Sequence, residues 1–411
     1  MSEIKPFRAL RPPRDMAAEV SSLPYDVMNS EEAAKMASDN PASFLHVIKP
    51  EIDLPSDEDH YSSKVYSKGK ENLENFKTEG YLRKDEKESF YVYRQVMKGR
   101  AQTGIFFCAS VDEYQNGLIK KHELTREEKE NDRAKHVDTL GANTGPVFLT
   151  FRPNQSVSSI LNRISQGTPD FDFTASDGIK HTLWTVSKTE DIDEIIKAFD
   201  SVPCLYVADG HHRSASASRV REIRRKNNPD HTGKEEYNYF LTAAFPSDEL
   251  EILDYNRVLK DLNGLSEDEF IEKISDKFEI SEANSPNPPE RHSFCMYLSG
   301  KWHLLRAKDG SFDENHPVES LDVSILQENL LAPVLSIGDP RTDNRIDFVG
   351  GIRGTAELEK LVDEGKFKTA FAMYPTSIDE LMNIADTDMI MPPKSTWFEP
   401  KLRSGLVVHE F

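Results

Sequence analysis

The feature that most restricts the fold of this chain is a short apolar run that ends at a glycine and continues into a helical pattern. Residues 205–208 (Leu-Tyr-Val-Ala) are typical of a buried strand, and Gly210 permits a tight turn after it. Residues 214–225 favour a helix. A strand that leads directly into a helix is characteristic of α/β proteins, so we expect a mixed α/β (α+β) fold.

The remaining segments alternate between helices and strands, and they contain no internal repeat. The pattern predicts a helix over 31–38, a strand over 44–48, a helix within 61–80 and a hairpin over 89–108. These elements fit the mixed fold class.

The length of 411 residues exceeds the usual size of one core, which predicts two domains. We place a catalytic region at 1–240 and a second α/β domain at 241–411. Polar and proline-rich stretches between about 226 and 290 support a boundary in this part of the chain. The second domain ends in an arm rich in proline, lysine and arginine.

The composition is strongly acidic. Lysine and arginine number 51 against 71 aspartate and glutamate, which gives a formal charge of −20 and disfavours a nucleic-acid partner. No apolar run approaches the roughly 20 residues that span a bilayer, and the first residues lack a signal-peptide layout. We expect a cytoplasmic protein without a membrane partner, whose three cysteines are reduced and buried.

The best candidate active site is the segment 208–213 (Ala-Asp-Gly-His-His-Arg), named the box below. Gly210 lets a ligand approach the backbone, the start of the following helix attracts anions, and the Ser214 hydroxyl adds a donor. The alternative is a plain turn with solvated histidines, which the strand–turn–helix context disfavours. The box supplies groups for proton transfer and for clamping a phosphate: Asp209, His211, His212 and Arg213.

A second candidate is a helix predicted to begin at Arg126, because Thr125 and Glu128 have the spacing of a capping box. The helix has almost no apolar residues, so it either lies exposed with ion pairs along its surface or docks on something polar, such as a bound polyphosphate. The pattern leaves both interpretations open. One face carries three cationic or ionisable side chains at helical spacing: Lys129, Arg133 and His136.

The third candidate is the arm at residues 391–406, in which three prolines exclude a helix. Its cations, Lys394 and Arg403 among them, can close over an anionic ligand. Alternatively, Trp397 and Phe398 pin a purely structural arm, and the sequence favours neither interpretation.

Nine separated motifs cover nearly the whole chain. They lie at 6–12 (Pro-Phe-Arg-Ala-Leu-Arg-Pro), 23–27 (Leu-Pro-Tyr-Asp-Val), 40–41, 44–47, 120–125, 145–148, 208–213, 255–258 and 391–406. In this order they resemble the bacterial and archaeal domain-of-unknown-function family numbered 1015. The box is also similar to that of the ParB/sulfiredoxin superfamily, in which a loop of the Gly-x-x-Arg type binds nucleotide phosphates.

Some members of that superfamily are free L-serine kinases that carry an Asp-Gly-His-His-Arg box. The resemblance therefore implies a ParB/sulfiredoxin-like catalytic region and phosphoryl transfer to a small hydroxyl compound. It implies that the box handles the phosphate, with pyrophosphate or a nucleotide as the donor. A catalytic carboxylate earlier in the chain is also implied, and Asp26 and Glu123 are the candidates.

The leading hypothesis is a small-molecule kinase that converts free L-serine to O-phosphoserine. Asp209 or Asp26 accepts the hydroxyl proton, and Mg²⁺ offsets the charge of the donor. Five side chains hold the donor: His211, His212, Arg213, Lys129 and Arg133.

The alternative from another class is a non-catalytic, ParB-like regulatory module that binds a nucleotide in the same box. A hydrolase that holds a metal between His211, His212 and Asp209 is the weaker interpretation, because metal-binding histidines on one helix usually lie four residues apart. Self-association into a homo-oligomer is left open.

Overall fold

The computed structural model describes residues 2–411, and it confirms the mixed α+β fold. These residues form two compact units. The first unit runs to Leu250 and also takes in Pro400–Phe411, and the second unit is Glu251–Glu399.

This division differs from the predicted domains in two places. The boundary predicted at residue 240 lies ten residues further on, because Tyr239–Pro246 is a strand of the first unit's sheet. The predicted arm at 391–406 is itself divided, since the chain from Pro400 onward belongs to the first unit.

The strands of the first unit lie on both sides of the second unit in sequence. They are β1 (Ile4–Lys5), β2 (Leu10–Arg11), β3 (Arg83–Lys84), β4 (Phe90–Met97), β5 (Arg100–Ser110), β6 (Ile119–Lys120), β7 (Ala142–Asn143), β8 (Val147–Phe151), β9 (Phe171–Thr174), β10 (Lys180–Val186), β11 (Leu205–Asp209), β12 (Tyr239–Pro246) and β21 (His409–Glu410). The second unit contains β13 (Glu251–Leu253), β14 (Tyr255–Leu259), β15 (Phe278–Glu282), β16 (Ser293–Leu298), β17 (Lys301–Ala307), β18 (Ile346–Gly350), β19 (Thr369–Met373) and β20 (Trp397–Glu399).

The α-helices follow the same division. The first unit has α1 (Ala17–Val20), α2 (Ser30–Ala37), α3 (Leu45–Ile48), α4 (Ser63–Thr78), α5 (Val111–Gln115), α6 (Glu127–Leu140), α7 (Gln155–Ile164), α8 (Thr189–Phe199) and α9 (His211–Asn227). The second has α10 (Glu267–Ile274), α11 (Asp322–Leu326), α12 (Thr355–Asp363) and α13 (Ile378–Asp386), with a π-helical turn at Gln327–Leu331. Short 3₁₀ turns lie at Tyr25–Val27, Pro50–Asp53, Glu236–Asn238, Ser247–Glu249 and Gly351–Arg353.

The first unit is built on a nine-stranded sheet in the order β6-β11-β8-β12-β5-β4-β10-β9, with β1 paired to β5. The sheet is mixed, since β6 is parallel to β11 and β8 is parallel to β12, while β11 and β8 are antiparallel. The predicted hairpin over 89–108 is confirmed as β4 and β5, with Val96 opposite Ala101. Side chains of the central strands form one buried cluster with those of α7 and α8: Phe107, Leu149, Val207, Leu161 and Phe199.

The helices before β4 form a second buried cluster, and here one prediction is wrong. Residues 44–48 are predicted to be a strand, but Leu45–Ile48 is the helix α3. Its apolar side chains pack with Leu73 and Phe76 of α4, which a single helical turn allows. A short apolar run cannot be assigned from periodicity alone. The predicted helix over 31–38 is confirmed as α2, capped by Asn29.

The second unit contains a six-stranded antiparallel sheet in the order β15-β17-β16-β19-β14-β18. No helix among residues 2–411 is long and apolar enough to cross a membrane. All three cysteines are free thiols; Cys108 and Cys295 are buried as predicted, whereas Cys204 is only partly buried.

Candidate active site

The box lies at one edge of the first unit's sheet because two parallel strands end there. Leu205 of β11 pairs with Ile119 of β6, and Tyr206 pairs with Lys120. The carboxyl ends of parallel neighbours meet at the same edge of a sheet, where ligand sites of α/β proteins commonly form. The segment after β6 therefore lies beside the box, although about 85 residues separate them along the chain.

The turn between β11 and α9 depends on Gly210, which has φ +98°. A Cβ atom added there would lie 3.0 Å from Nε of Arg213, so a larger residue would both strain the backbone and crowd the guanidinium. Glycine thus allows Arg213 to fold back over the turn.

The side chain of Arg213 is only 10% exposed, yet its hydrogen-bonding capacity is only partly used. Its Nη1 donates to the carbonyl of Pro146, and Nε has no hydrogen-bond partner. Nη2 lies 3.6 Å from Oδ2 of Asp26 and 3.7 Å from Oδ1 of Asp209. Both distances exceed the usual range of a charge-assisted hydrogen bond, about 2.7–2.9 Å. The side chain can therefore accept a closer anionic partner.

Asp209 is held as a carboxylate by cations on both sides. Its Oδ2 accepts a hydrogen bond from Nζ of Lys401 at 3.1 Å, and Oδ1 faces Arg213. Burial alone would raise the pKa of Asp209, but Lys401 and Arg213 together hold it well below its usual range. An acid this firmly ionised and paired is a weak proton acceptor.

The histidines of the box have different surroundings. His211 is buried and stands edge-on to His122, with 4.4 Å between ring centroids. Its Nδ1 lies 3.8 Å from Oε2 of Glu123. Burial lowers the pKa of His122 to about 4, and burial with the neighbouring His122 lowers that of His211 well below its usual range. Donor atoms of His122, Glu123 and His211 all lie within 4.8 Å of one another.

His212 joins the starts of two helices. Its Nε2 accepts a hydrogen bond of 3.2 Å from the backbone N–H of Arg126, the residue that precedes α6. This replaces the predicted capping box, which is wrong: Thr125 makes no cap and donates its hydroxyl hydrogen to Glu130 instead. Burial lowers the pKa of His212.

The largely polar helix α6 docks on polar side chains of α9. Arg219 donates to Glu130 at 3.0 Å, and Arg224 donates to Asp138 at 2.8 Å. The polar partner that this helix needs is thus supplied largely within the protein.

Two of the three side chains predicted on the face of α6 reach a cleft beside the box. Arg133 and His136 line it, whereas Lys129 lies outside and donates to the hydroxyl of the exposed Tyr61 at 3.1 Å. Arg133 stacks over the ring of Tyr25 at 4.3 Å from its centroid. The cleft is lined by Pro24, Tyr25, Ile48, Arg133, His136, Val137, Asn143, Thr144, Gly145, Val147, Arg213, Ser216, Phe240, Leu241 and Ser404.

His136 should make stability sensitive to acid. It is buried with Nε2 3.0 Å from the carbonyl of Val47, and burial together with Arg133 lowers its pKa to about 4. Between pH 6.5 and 4 the unfolded chain binds the extra proton, so the free energy of unfolding falls as the pH falls. We expect this residue to account for about 2 kcal/mol of the loss between pH 7.5 and pH 5.

Urea unfolding of a His136→Gln variant at both pH values tests this expectation, because glutamine retains a donor for Val47 without titrating. The matched control is His60→Gln at an exposed position. If wild type and His136→Gln lose the same free energy on acidification, the acid sensitivity has another origin.

Three predicted phosphate ligands have other contacts. Ser214 is fully buried, and both its hydroxyl and its backbone N–H donate to carbonyls of the preceding turn. Arg403 is buried against Asp177 and His181. Both side chains thus donate hydrogen bonds within the protein. Lys394 lies over the ring of Tyr255 within the second unit.

Sequence reasoning missed two important neighbours of the box. Lys401 contacts Asp209, but nothing distinguishes it in sequence from the other cations of the arm. His122 precedes the proposed Glu123, yet its contact with His211 arises from the pairing of β6 with β11. The pairing of β6 with β11, which sequence analysis did not predict, would have been needed to identify His122.

Residues 4–324 match the model of the protein family described as "Protein of unknown function (DUF1015)". The chain belongs to this family. The resemblance to family 1015 inferred from the nine motifs is thus confirmed, and the family description assigns no reaction. No curated protein matches the sequence.

Solved structures show weaker likeness. A free serine kinase in complex with AMP has 13% identity and a TM-score of 0.35, over 72% of this chain and 86% of that one. A conserved hypothetical protein from Pyrococcus furiosus has 14% identity and a TM-score of 0.37, over 74% and 95%. SbnI from Staphylococcus aureus, with a C-terminal truncation, has 11% identity and a TM-score of 0.38, over 74% and 86%. Likeness at this level assigns no activity to the DUF1015 chain.

Proposed function

We propose that this DUF1015 protein is a small-molecule kinase that transfers a phosphoryl group to free L-serine. The observation that carries the proposal is the guanidinium of Arg213, whose buried Nε lacks a hydrogen-bond partner and whose two carboxylate neighbours lie beyond hydrogen-bond length. Unsatisfied buried donors of this kind are costly unless a ligand completes them. A phosphate group satisfies such donors well, because its oxygens match the geometry of the guanidinium N–H groups.

The cleft offers a second cation and several neutral donors for the phosphoryl donor. Arg133 and Arg213 line the same cleft from different helices, together with the amide of Asn143 and the hydroxyls of Tyr25, Thr144 and Ser404. Phosphoryl transfer depends mainly on positioning and on electrostatic stabilisation of the transferring group, which this set of residues can supply.

We assign proton acceptance to Asp26 rather than to Asp209. Asp26 lies on a 3₁₀ turn with 39% of its side chain exposed, and it forms a long ion pair of 3.6 Å with Arg213. A hydroxyl substrate can therefore reach it. Asp209 is paired with Lys401 and held ionised, so it suits a positioning role.

We propose Asp209 as the carboxylate that holds a magnesium ion, which leaves Asp26 available as the proton acceptor. Asp209 stays ionised, its Oδ1 lies 3.7 Å from Nη2 of the cleft residue Arg213, and Mg²⁺ prefers oxygen ligands. When bound, the ion would neutralise charge on the phosphoryl donor. The serine acceptor itself is taken from the resemblance of the box to that of free-serine kinases.

Phosphorus NMR of purified protein with Mg²⁺ and L-serine tests the proposal, with ATP, ADP and pyrophosphate offered as donors in parallel. We expect a new phosphomonoester resonance that depends on serine and grows with one of the donors. Omission of serine and replacement by L-alanine, which lacks the hydroxyl group, are the controls.

Absence of the resonance with every donor would overturn the kinase proposal. If a nucleotide nevertheless bound tightly in calorimetry, the ParB-like regulatory module would replace it.

A further inference from the structure

We propose that His122, Glu123 and His211 bind a divalent transition-metal ion of the zinc class, at a site separate from the proposed Mg²⁺ ligand. One ligand atom from each residue lies within 4.8 Å of the others. Two imidazoles and one carboxylate form a ligand set that occurs in zinc sites with an open fourth position.

The fold brings these residues together from distant parts of the chain. His122 and Glu123 follow β6, and His211 begins α9 directly after β11. Because β6 and β11 are parallel neighbours, both segments leave the sheet at the same edge. The cluster thus rests on a sheet edge and on the first turn of a 17-residue helix, which are supports that hold ligands in place.

The histidine nitrogens indicate a missing ligand. His122 is 2% exposed and His211 is 5% exposed. Neither ring nitrogen of His122 has a hydrogen-bond partner, and Nε2 of His211 has none either. Buried polar atoms are normally satisfied, and each one left without a partner costs about 1–3 kcal/mol. A metal ion would bind a lone pair on each ring and remove part of that cost.

Glu123 would give the metal ion a negatively charged ligand and a route of entry from solvent. Its side chain is 39% exposed, and its Oε2 lies 3.8 Å from Nδ1 of His211. Zinc bonds of about 2.0–2.2 Å require the ligand atoms to draw closer together, and the partly exposed side chain of Glu123 is the one that would turn toward the two buried rings. The buried rings need not move far.

The ligand types favour zinc over magnesium. Imidazole nitrogen suits zinc, copper, nickel and cobalt, whereas Mg²⁺ prefers oxygen and retains water. The difference in ligand type distinguishes the histidine site from the carboxylate of Asp209. Binding of Zn²⁺ in excess Mg²⁺ can therefore be measured separately.

The experiment uses the untagged full chain, stripped of metal with a chelator and titrated with Zn²⁺ by calorimetry in excess Mg²⁺. We expect one tight Zn²⁺ per chain. We expect affinity to fall more than about 100-fold in both His122→Ala and Glu123→Gln, since loss of outer-shell partners alone costs 10–100-fold. Glu123→Gln keeps the size of the side chain, so it tests the ligand even if His122→Ala unfolds. The control is His60→Ala, at an exposed position outside the cluster.

Two further readouts require neither substrate nor turnover. Zn²⁺ should raise the thermal midpoint of the wild type and of His60→Ala, but not that of Glu123→Gln. Cobalt(II) bound at the site should give the strong visible absorption of a four-coordinate ion. Zinc binding that is equally weak in all four proteins, or that Mg²⁺ abolishes, would overturn the site. Neither result depends on whether the protein phosphorylates serine.

Discussion

Replacing Arg213 by lysine is expected to lower the rate of serine phosphorylation by about 10³-fold while the protein keeps its fold. Lysine retains the positive charge beside Asp26 and Asp209, so the electrostatic balance of the buried site is largely preserved. It loses the planar fork that can donate to two phosphate oxygens at once. The measurement is initial velocity by phosphorus NMR at saturating donor, with circular dichroism and the thermal midpoint as checks of folding.

The matched control is Arg225→Lys, an exposed arginine on the same helix. It should retain wild-type velocity. A loss of less than about tenfold in Arg213→Lys would show that the guanidinium does not hold the transferring group, and would remove the main support for the kinase proposal.

Replacing Asp26 by asparagine should lower kcat by about 10²–10⁴-fold, the usual contribution of a general base. Asparagine has nearly the same size but accepts a proton poorly, and the position is partly exposed, so stability should change little. Velocity measured over a range of donor and serine concentrations separates kcat from KM. The control is Asp15→Asn, an exposed aspartate in the same N-terminal segment.

The variant Asp209→Asn tests the alternative that Asp209, and not Asp26, is the general base. Because Asp209 is paired with Lys401 and Arg213, we expect its loss to raise the KM of the donor more than it lowers kcat. The reverse pattern, with kcat lost in Asp209→Asn and retained in Asp26→Asn, would move the base from Asp26 to Asp209.

Local sequence patterns predicted those parts of the fold whose structure depends on neighbouring residues. The strand, glycine turn and helix around Gly210 follow from side-chain spacing and from the need for positive φ. The hairpin of β4 and β5 follows from two apolar runs joined by Lys98 and Gly99. The strand predicted at residues 44–48 is wrong because packing onto α4 determined the conformation. The run is too short for its apolar residues to show a helical or a strand period.

Sequence analysis identified the residues of the candidate site within single segments of the chain, but not the contacts between distant segments. The box was identified from residue type and Asp26 from the carboxylate that the resemblance implies, and the structure places Asp26 and Asp209 beside Arg213. The contacts of His122 and Lys401 depend on strand pairing and on the return of the chain to the first unit. Ser214 and Arg403 donate hydrogen bonds to partners within the protein that no sequence spacing reveals.

Asp209 is synthesised well before its partner Lys401, and this delay affects the folding of the nascent chain. The two residues are 192 positions apart, and most of the intervening chain forms the second unit. At about 5–20 residues per second, a ribosome needs roughly 10–40 s to pass from one to the other. Throughout that interval the nascent sheet carries Asp209 without its lysine, and β7 lacks its partner β21. Nascent chains released before Lys401 should therefore lack both contacts and be substrates for chaperones and proteases, even when the large sheet has formed.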